Sequence, residues 1–340
     1  MKLDQNLDIE NKRDLSKYLN QQGWIATEEQ MDFEVLRGGV SNKAVYVSFG
    51  SNRMVIKQAL EKLRTEAEWF SDPKRLKIEA EGLKWMGKQL PEGAVPKHIF
   101  FDNEHFILGM EAIPQPHDNL KELLLNGMLD FFLAEKLGHM LGIIHHKGAS
   151  DPEAQQLFED HAFFINLRIE PYYKHSAREL PEAGTFFEKL IEDTLKNRIT
   201  IVHGDFSPKN ILVKKDRLIL LDFEVTHFGD PAFDVGFLLC HFLSKANYLR
   251  SAKFVDAALE IWGAYHSQFK NGDSDYEKRC IRHIMGCMIA RIYGRSPLEY
   301  LSQEQKDWQS DTTLALIKKD HQRMKEFLMD YKTALNGSNH

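Results

Sequence analysis

Three polar side chains between residues 201 and 236 have types and spacings that suit chemistry on a phosphate. The apolar runs 211–213 and 218–221 are short, and the polar residues between them predict a turn, so the stretch is expected to form an antiparallel hairpin. With the turn centred on residue 216, Asn210 and Asp222 lie side by side at the open end of the hairpin. Their oxygens suit Mg²⁺, and Asp205, on the loop before the hairpin, is placed to accept a proton from an attacking hydroxyl group.

Each part of this pattern also has an ordinary explanation. His-Gly-Asp is commonly a plain loop, and Asp-Phe-Glu after a strand is frequent. The order of the parts, their spacing and the symmetry of the hairpin together favour a phosphoryl-transfer site. Other catalytic classes lack support, because the sequence has neither a HExxH zinc motif nor a GxSxG nucleophile elbow.

The pattern resembles the catalytic core of the aminoglycoside phosphotransferase and choline kinase group, the small-molecule relatives of protein kinases. It consists of His203-Gly204-Asp205, Asn210 and Asp222-Phe223-Glu224. The resemblance implies that Asp205 is the catalytic base, that Asn210 and Asp222 bind Mg²⁺, and that His203 is structural. Asp234, in the run Gly-Asp-Pro-Ala-Phe-Asp, resembles the buried carboxylate that braces the catalytic loop in this group. Protein kinases differ, since they carry Arg where this chain has Gly204.

Upstream, three predicted strands surround a glycine-containing loop. The strands cover residues 33–36, 44–49 and 54–57, and the loop Arg-Gly-Gly-Val-Ser-Asn follows the first of them. Glycines allow backbone N–H groups to approach phosphate oxygens closely. The predicted phosphate contacts are Gly38, Gly39, Ser41 and Asn42. A plain hairpin turn is the alternative for this loop, which lacks the GxGxxG spacing of protein kinases.

A lysine at the end of the third strand and a glutamate on the next helix are predicted to form an ion pair. In the helix expected over 76–90, Glu79 falls within the apolar stripe, whereas Glu81 falls nearly opposite. A carboxylate in an apolar stripe needs a partner, because burying it unpaired is costly. Lys57 is the expected partner, as in the pair that orients the α- and β-phosphates in kinase-like folds. Surface exposure of Lys57 is the alternative.

Two further strands, 95–101 and 105–110, lead into a linker that resembles the connection between the lobes of kinase-like folds. There an adenine usually bonds to backbone groups, which at this point of the chain belong to Met110, Glu111 and Ala112. The segment 60–72 is a polar insertion to which the sequence assigns no role. The aromatic segment 161–173 is expected to pack between helices, with an acceptor-lining role for Arg168, Tyr172 or Tyr173 as the alternative.

Composition limits the partners. A 340-residue chain with 43% hydrophobic residues is long enough for two lobes with a substantial core. A formal charge of −6 without a basic cluster argues against nucleic acid. No run approaches the ~18 apolar residues that span a bilayer, and the polar N-terminus lacks a signal region, so no membrane association is expected. The same features predict a cytoplasmic protein, of unknown oligomeric state. Three cysteines without metal-ligand spacing predict reduced thiols.

The resemblance therefore implies an α+β, bilobal, protein-kinase-like fold. Residues 1–112 would form a small lobe with an antiparallel sheet, which binds the nucleotide, and residues 113–340 a larger, mostly helical lobe with the catalytic loop and acceptor site. The implied reaction transfers the γ-phosphoryl group of ATP, with Mg²⁺, to a hydroxyl group of a small molecule. The Gly-Gly-Val-Ser-Asn loop and the Pro-Tyr-Tyr segment also resemble methylthioribose kinases, although Asp-Phe-Glu departs from their Asp-Pro-Glu.

Two other functions stay open. A nucleotide-binding module without turnover would not need Asp205 as a base, so the intact pattern argues against it. A protein kinase would have an activation segment with an Ala-Pro-Glu motif after the hairpin, and none is present.

Overall fold

A computed structural model describes residues 7–26, 31–36, 39–65 and 68–337. The fold is α+β and bilobal, of the protein-kinase-like type, with the antiparallel sheet in the N-terminal lobe and most helices in the C-terminal lobe. Gly38, one of the predicted phosphate contacts, lies outside the described residues.

The N-terminal lobe is built on a five-stranded antiparallel sheet with the strand order β1-β2-β3-β5-β4. The strands are β1 Asp32–Val35, β2 Asn42–Phe49, β3 Asn52–Ala59, β4 His98–Asp102 and β5 Ile107–Glu111. Alternate side chains of β2 and β3 pack on helix α1, Lys12–Gln21, which is followed by Gly23 in the left-handed conformation. Val55 and Lys57 alternate with the buried Met54 and Ile56, so they face the cleft.

Helix α2 connects this sheet to the C-terminal lobe. It spans Arg75–Gln89, one residue earlier at each end than predicted, and its buried side chains include Leu76, Leu83 and Met86. Those side chains belong to the same hydrophobic core as helix α4 and the catalytic hairpin. The helix therefore holds Glu79 in a fixed position between the two lobes.

The C-terminal lobe contains the remaining helices. They are α3 Leu120–Leu125, α4 Phe131–Gly148, α5 Pro152–Leu157, α6 Ala162–Phe164, α7 His175–Glu179, α8 Gly184–Lys196, α9 Ala232–Leu249, α10 Lys253–Gln268, α11 Tyr276–Tyr293, α12 Gln303–Ile317 and α13 Met324–Gly337. A π-helical segment, Ile165–Lys174, joins α6 to α7, so the aromatic stretch is a helix that contains Pro171 and packs in the core. None of the described helices is long and apolar enough to cross a membrane.

Two small sheets flank the predicted catalytic residues. Strand β7, Thr200–Val202, pairs with β10, His227–Gly229, and strand β8, Ile211–Lys214, pairs with β9, Arg217–Leu220, and with β6, Asp118–Asn119. The predicted hairpin is present, but its register is centred between Lys215 and Asp216. The two-residue turn, with Lys215 at φ 58, places Asn210 opposite Leu221, and Asp222 follows one residue later.

Candidate active site

The catalytic loop, residues 203–210, is held in place by one buried carboxylate. Asp234, at the start of α9, accepts the backbone N–H of His203 at 2.6 Å and that of Gly204 at 2.8 Å. His145 lies on its other side, with Nε2 3.3 Å from Asp234 Oδ2. Although burial acts to raise it, the pKa of Asp234 is lowered by His145 and by these hydrogen bonds. Asp234 is thus an ionised brace, in the position expected from the resemblance.

His203 connects the catalytic loop to the end of the hairpin, and its hydrogen bonds fix the imidazole in one tautomer. Its Nδ1 accepts the backbone N–H of Asp205 at 3.1 Å, so the proton is on Nε2, which donates to the carbonyl of Leu221 at 3.2 Å. Burial lowers the pKa of His203, which keeps the ring neutral and this arrangement intact. The carbonyl that it binds belongs to the residue before Asp222, so His203 couples the two predicted functional carboxylates.

Asp205 is buried and surrounded by donors. Asn210 Nδ2 lies 2.7 Å from Oδ2, Arg168 Nη2 lies 2.9 Å from Oδ1, and Lys209 Nζ lies 2.9 Å from Oδ2. Burial acts to raise the pKa of Asp205, but the two cations outweigh it and lower the pKa. The carboxylate is therefore ionised and oriented, ready to accept a hydrogen bond from a hydroxyl group.

Gly204 has a backbone conformation that explains its residue type. Its φ is +77°, and a Cβ added there would lie 2.8 Å from the carbonyl oxygen of Val225. A side chain at this position would strain the backbone and clash. Glycine thus permits the sharp turn that brings Asp205 toward the cleft.

Lys57 lies between two carboxylates. Its Nζ is 2.5 Å from Oε1 of Glu79 and 3.1 Å from Oδ1 of Asp222. Burial acts to lower the pKa of Lys57, but Asp222 and Glu79 raise it, so the ammonium stays charged. Burial also raises the pKa of Glu79, and Lys57 offsets part of that effect. Glu81 instead pairs with Lys84 at 3.0 Å near the surface, so the helix has the orientation that the apolar stripe indicates.

The donors around Asn210 and Asp222 fit a hard divalent cation. Asn210 uses its Nδ2 on Asp205, which leaves the amide oxygen without a hydrogen-bond donor among the described residues. Asp222 has φ +71°, a conformation that is uncommon for non-glycine residues and occurs both in turns and at functional sites. Oxygens of Asp222, Glu79 and Glu224 all lie within 4.8 Å of one another. An amide oxygen and carboxylates are ligands that Mg²⁺ prefers.

In the described part of the glycine loop, the side chain of one predicted phosphate contact is engaged within the protein. Asn42 donates from Nδ2 to Oε2 of Glu224 at 3.0 Å and to Oγ of Ser41 at 3.3 Å, so its amide is used within the protein. Gly39 has no positive φ, and an added Cβ would make an ordinary contact at 3.5 Å. Phosphate contacts from this loop would therefore come from backbone N–H groups and the Ser41 hydroxyl.

Arg75, which the sequence analysis did not select, ties this loop to the hairpin. It is completely buried, and its guanidinium binds Glu224 at 3.2 Å and the backbone carbonyls of Ser41, Leu60, Ser71 and Asp72. The segment 60–72 adds Leu63 and Trp69 to a small core with Leu167 and Val225 of the C-terminal lobe. Arg75 precedes Glu79 by one helical turn, and that spacing was the available signal.

A cleft of about 730 Å³ opens between the lobes beside Lys57. Its walls include Val55, Met110, Ala112 and Leu212. The N–H groups of Glu111 and Ala112 already bind the carbonyls of Lys97 and Arg53, at 2.8 and 3.1 Å. Within the part of the chain that the structure describes, the Glu111 carbonyl and the Ile113 N–H have no hydrogen-bond partner, so they are the groups available to an adenine.

Two basic residues at Asp205 were not selected as site residues from the sequence. The sequence indicates Arg168 only as an acceptor-lining alternative and assigns no role to Lys209. Arg168 reaches the loop from the π-helical segment and also donates from Nε to the carbonyl of Gly204 at 2.7 Å. Lys209 is four residues from Asp205 in the catalytic loop, a spacing that gave no helical or strand pattern to read.

Comparison with known proteins agrees with this geometry. Residues 32–279 match the family described as the phosphotransferase enzyme family. Methylthioribose kinase of Citrobacter koseri is 27% identical over 269 residues, which cover 66% of this chain and 65% of that protein. The match thus spans slightly less than two thirds of that relative's length.

Two solved structures share the fold. A choline/ethanolamine kinase family protein from Mesorhizobium loti superposes with a TM-score of 0.52 at 15% identity, covering 89% of this chain and 92% of that chain. Choline kinase from Cryptosporidium parvum Iowa II superposes with a TM-score of 0.56 at 11% identity, covering 96% and 100%. Since the family match covers more than half of the residues, this chain belongs to the phosphotransferase enzyme family.

Proposed function

We propose that this chain transfers the γ-phosphoryl group of ATP to a hydroxyl group of a small molecule. The observation that carries the proposal is the convergence, at one end of the cleft, of an ionised Asp205 held by Asn210 and of Lys57 held by Glu79 and Asp222. Phosphoryl transfer depends mainly on positioning and charge stabilisation, and this arrangement supplies both.

Each group has a defined part in the proposed reaction. Lys57 binds the α- and β-phosphates, and the linker 110–113 binds the adenine through backbone groups. Asp205 accepts a hydrogen bond from the acceptor hydroxyl and orients its oxygen toward the γ-phosphorus. Because the pKa of Asp205 is lowered, its carboxylate stays ionised and can accept a hydrogen bond from the hydroxyl group throughout substrate binding.

Mg²⁺ is the divalent cation that the oxygen donors fit. Asn210 and Asp222 would hold it, and Glu224 lies close enough to add a carboxylate. The ion would neutralise charge on the β- and γ-phosphates. Residues 1–112 would be the nucleotide-binding lobe and residues 113–340 the acceptor lobe, in a protein of the cytoplasm, where ATP is available.

A methylthioribose-kinase-like activity is the second candidate. It rests on the relatives of that name, and the 27% identity to the Citrobacter koseri enzyme is the observation that favours it. A nucleotide-binding module without turnover is less well supported, because the pairs Asp205–Asn210 and Lys57–Asp222 are both formed as a catalytic site would need.

The test is ATP consumption with Mg²⁺ across methylthioribose, choline, aminoglycosides, homoserine, ketosamines and sugar acids. We expect turnover on at least one acceptor that is lost in Asp205→Ala. The matched control is Asp216→Ala, an aspartate in the exposed hairpin turn that pairs with Lys136 at the surface. Equal turnover in the two variants would refute the role of Asp205, and tight ATP binding without transfer to any acceptor would favour the binding module.

A further inference from the structure

A second group of basic side chains lies behind the catalytic carboxylate. It consists of Arg291 on α11 and of His241 and Lys245 on α9, and we call it the distal basic cluster. All three are buried, with Lys245 at 0% exposure. None of them contacts Asp205, and the proposed reaction on ATP uses none of them.

Two aromatic rings connect this cluster to the active site. The guanidinium of Arg168, which pairs with Asp205, lies 5.5 Å from the centre of the Tyr172 ring and 5.9 Å from that of Phe237. The guanidinium of Arg291 lies 5.5 and 5.8 Å from the same two rings. Phe237 in turn contacts His241, with ring centres 5.1 Å apart. Arg168 and Arg291 therefore lie against the same two rings, which places the cluster next to the side chains that hold the catalytic loop.

The distal basic cluster has no carboxylate of its own. Among the residues that the structure describes, neither Lys245 nor Arg291 forms an ion pair, and the nearby Glu299 is bound by Lys121. Burying a cation without a counter-ion is costly. Burial accordingly lowers the pKa of Lys245 to about 7 and lowers the pKa of His241, so the positive charge of this cluster would increase when an anion binds beside it.

Several polar atoms in the cluster also lack partners. Nε of Arg291, Nε2 of His241 and the hydroxyl of Tyr300 are buried without a hydrogen bond among the described residues. Lys245 makes only a long bond of 3.5 Å to the carbonyl of His241 and lies 5.3 Å from the centre of the Tyr300 ring. Native proteins rarely leave so many buried donors unused in one place unless a ligand or water binds them.

A purely structural role explains some of the hydrogen bonds of the cluster but does not explain its unpaired donors. Nη1 of Arg291 binds the hydroxyl of Tyr172 at 3.1 Å and both oxygens of Ser296, so one side of this guanidinium is held by the fold. Among the described residues, Nε of Arg291 has no hydrogen-bond partner, and the Lys245 ammonium has only the long bond to the carbonyl of His241. A methionine or leucine would fill the place of Lys245 at lower cost if packing were its purpose.

We propose that the acceptor carries an anionic group, a carboxylate or a phosphate, which binds Lys245 and Arg291 while its hydroxyl group meets Asp205. This inference rests on the proposed function and names the chemical class of its substrate. The acceptor oxygen forms a bond to the γ-phosphorus, the bond from that phosphorus to the bridging oxygen breaks, and ADP leaves with the electron pair. The hydroxyl proton passes to Asp205, and the product is an acidic phosphate ester.

The same charges disfavour other acceptors. A cationic amine, such as that of choline or an aminoglycoside, would be placed next to Lys245, Arg291 and Arg168, and like charges repel strongly in a buried site. A neutral sugar would leave the unpaired donors of the cluster unsatisfied. We therefore expect methylthioribose to be a poorer acceptor than a hydroxy acid or a sugar phosphate.

The experiment compares acceptors that differ only in charge. Glycerate is paired with glycerol, gluconate with glucitol, and ribose 5-phosphate with ribose, beside methylthioribose, choline and kanamycin. The variants are Lys245→Met, which keeps the length of the side chain, and the control Lys318→Met at an exposed position. The expected result is transfer to acids, with KM for the acid raised roughly 10- to 100-fold in Lys245→Met, as for loss of one charge-assisted hydrogen bond, and kcat little changed. Preference for glycerate or gluconate over the neutral analogue would identify the anion as a carboxylate, and preference for ribose 5-phosphate over ribose would identify it as a phosphate.

A second measurement needs no turnover. Sulfate is added at fixed ionic strength, and the melting temperatures of the two variants are compared with that of the wild type. Stabilisation by sulfate in the wild type and Lys318→Met, but not in Lys245→Met, supports the anion site. This holds even if no acceptor of the panel is phosphorylated, because missing phosphorylation would count only against the proposed function. Preferred transfer to neutral or cationic acceptors would overturn the inference and leave the kinase intact. Equal stabilisation of all three proteins would also overturn it.

Discussion

Replacement of Gly204 by alanine tests the geometry on which the catalytic loop depends. Gly204 and Gly23 have almost the same backbone conformation, with φ +77° and +76°. A Cβ on Gly23 would have no neighbour within 4 Å, whereas a Cβ on Gly204 would lie 2.8 Å from the carbonyl oxygen of Val225 and 2.9 Å from its Cγ2. The two substitutions therefore share the backbone strain and differ in the clash.

The magnitudes follow from this comparison. Alanine in the left-handed region costs roughly 1–2 kcal/mol at either position. The clash at Gly204 adds about 1–3 kcal/mol, because the backbone of residue 225 or of the loop must shift. We expect the unfolding free energy to fall more in Gly204→Ala than in Gly23→Ala by that second amount.

The effect on activity should be larger. Gly204 binds Asp234 through its N–H and Arg168 through its carbonyl, and the next residue is Asp205. A displacement of Asp205 by ~1 Å would lower kcat on the order of 10²-fold. Gly23→Ala should keep the wild-type kcat. Both variants are measured by urea unfolding and by ATP-dependent transfer to the acceptor found in the panel, with nucleotide affinity as a check on the N-terminal lobe.

Two results would refute this reasoning. Equal loss of stability in the two variants would mean that the contact with Val225 does not constrain the loop. An unchanged kcat in Gly204→Ala would mean that the position of Asp205 is not set by its neighbour.

Three further predictions concern the buried charges. Asp234→Asn should remove the charge-assisted hydrogen bonds to the catalytic loop and lower kcat. Asp230→Asn, which loses an ion pair with Arg279, should lower stability and keep kcat. Steady-state kinetics and thermal unfolding of both variants check this, and a normal kcat in Asp234→Asn would contradict it. Lys57→Met should weaken ATP binding about 10- to 100-fold, because Glu79 and Asp222 lose their shared cation. Lys43→Met, which breaks an ion pair with Asp8, should bind ATP normally when both variants are measured by calorimetry. Equal ATP affinities of the two variants would exclude Lys57 from the phosphate site. Burial lowers the pKa of His283 to about 3, so the unfolded chain binds a proton below pH ~6.5 that the folded protein does not, and stability should fall as pH decreases, by up to about 1.4 kcal/mol per pH unit from this group. His283→Gln should reduce that slope in urea unfolding between pH 7 and 5, and an unchanged slope would show that His283 is not the group responsible.

Local patterns predicted the elements that carry the site. The hairpin, the helix with Glu79 on its apolar side and the strand that contains Lys57 could be predicted, because hydrophobic period and turn residues act over a few neighbours. That strand continues to Ala59 rather than ending at Lys57. The predicted hairpin centre, residue 216, differs by half a residue from the observed one, because the turn contains two residues. A two-residue turn with Lys215 in the left-handed conformation is not evident from four polar residues.

Only the tertiary structure determined the contacts between residues that are far apart in the chain. Arg75 binds Glu224 across 149 positions, and Arg168 approaches Asp205 from a π-helical segment that the sequence left as a connector. The register in which helices pack sets which side chains meet, and that register depends on the shape of the whole core. For the same reason the motif in residues 203–222 indicated the chemistry, whereas the charge of the acceptor site became visible only when α9 and α11 were packed behind it.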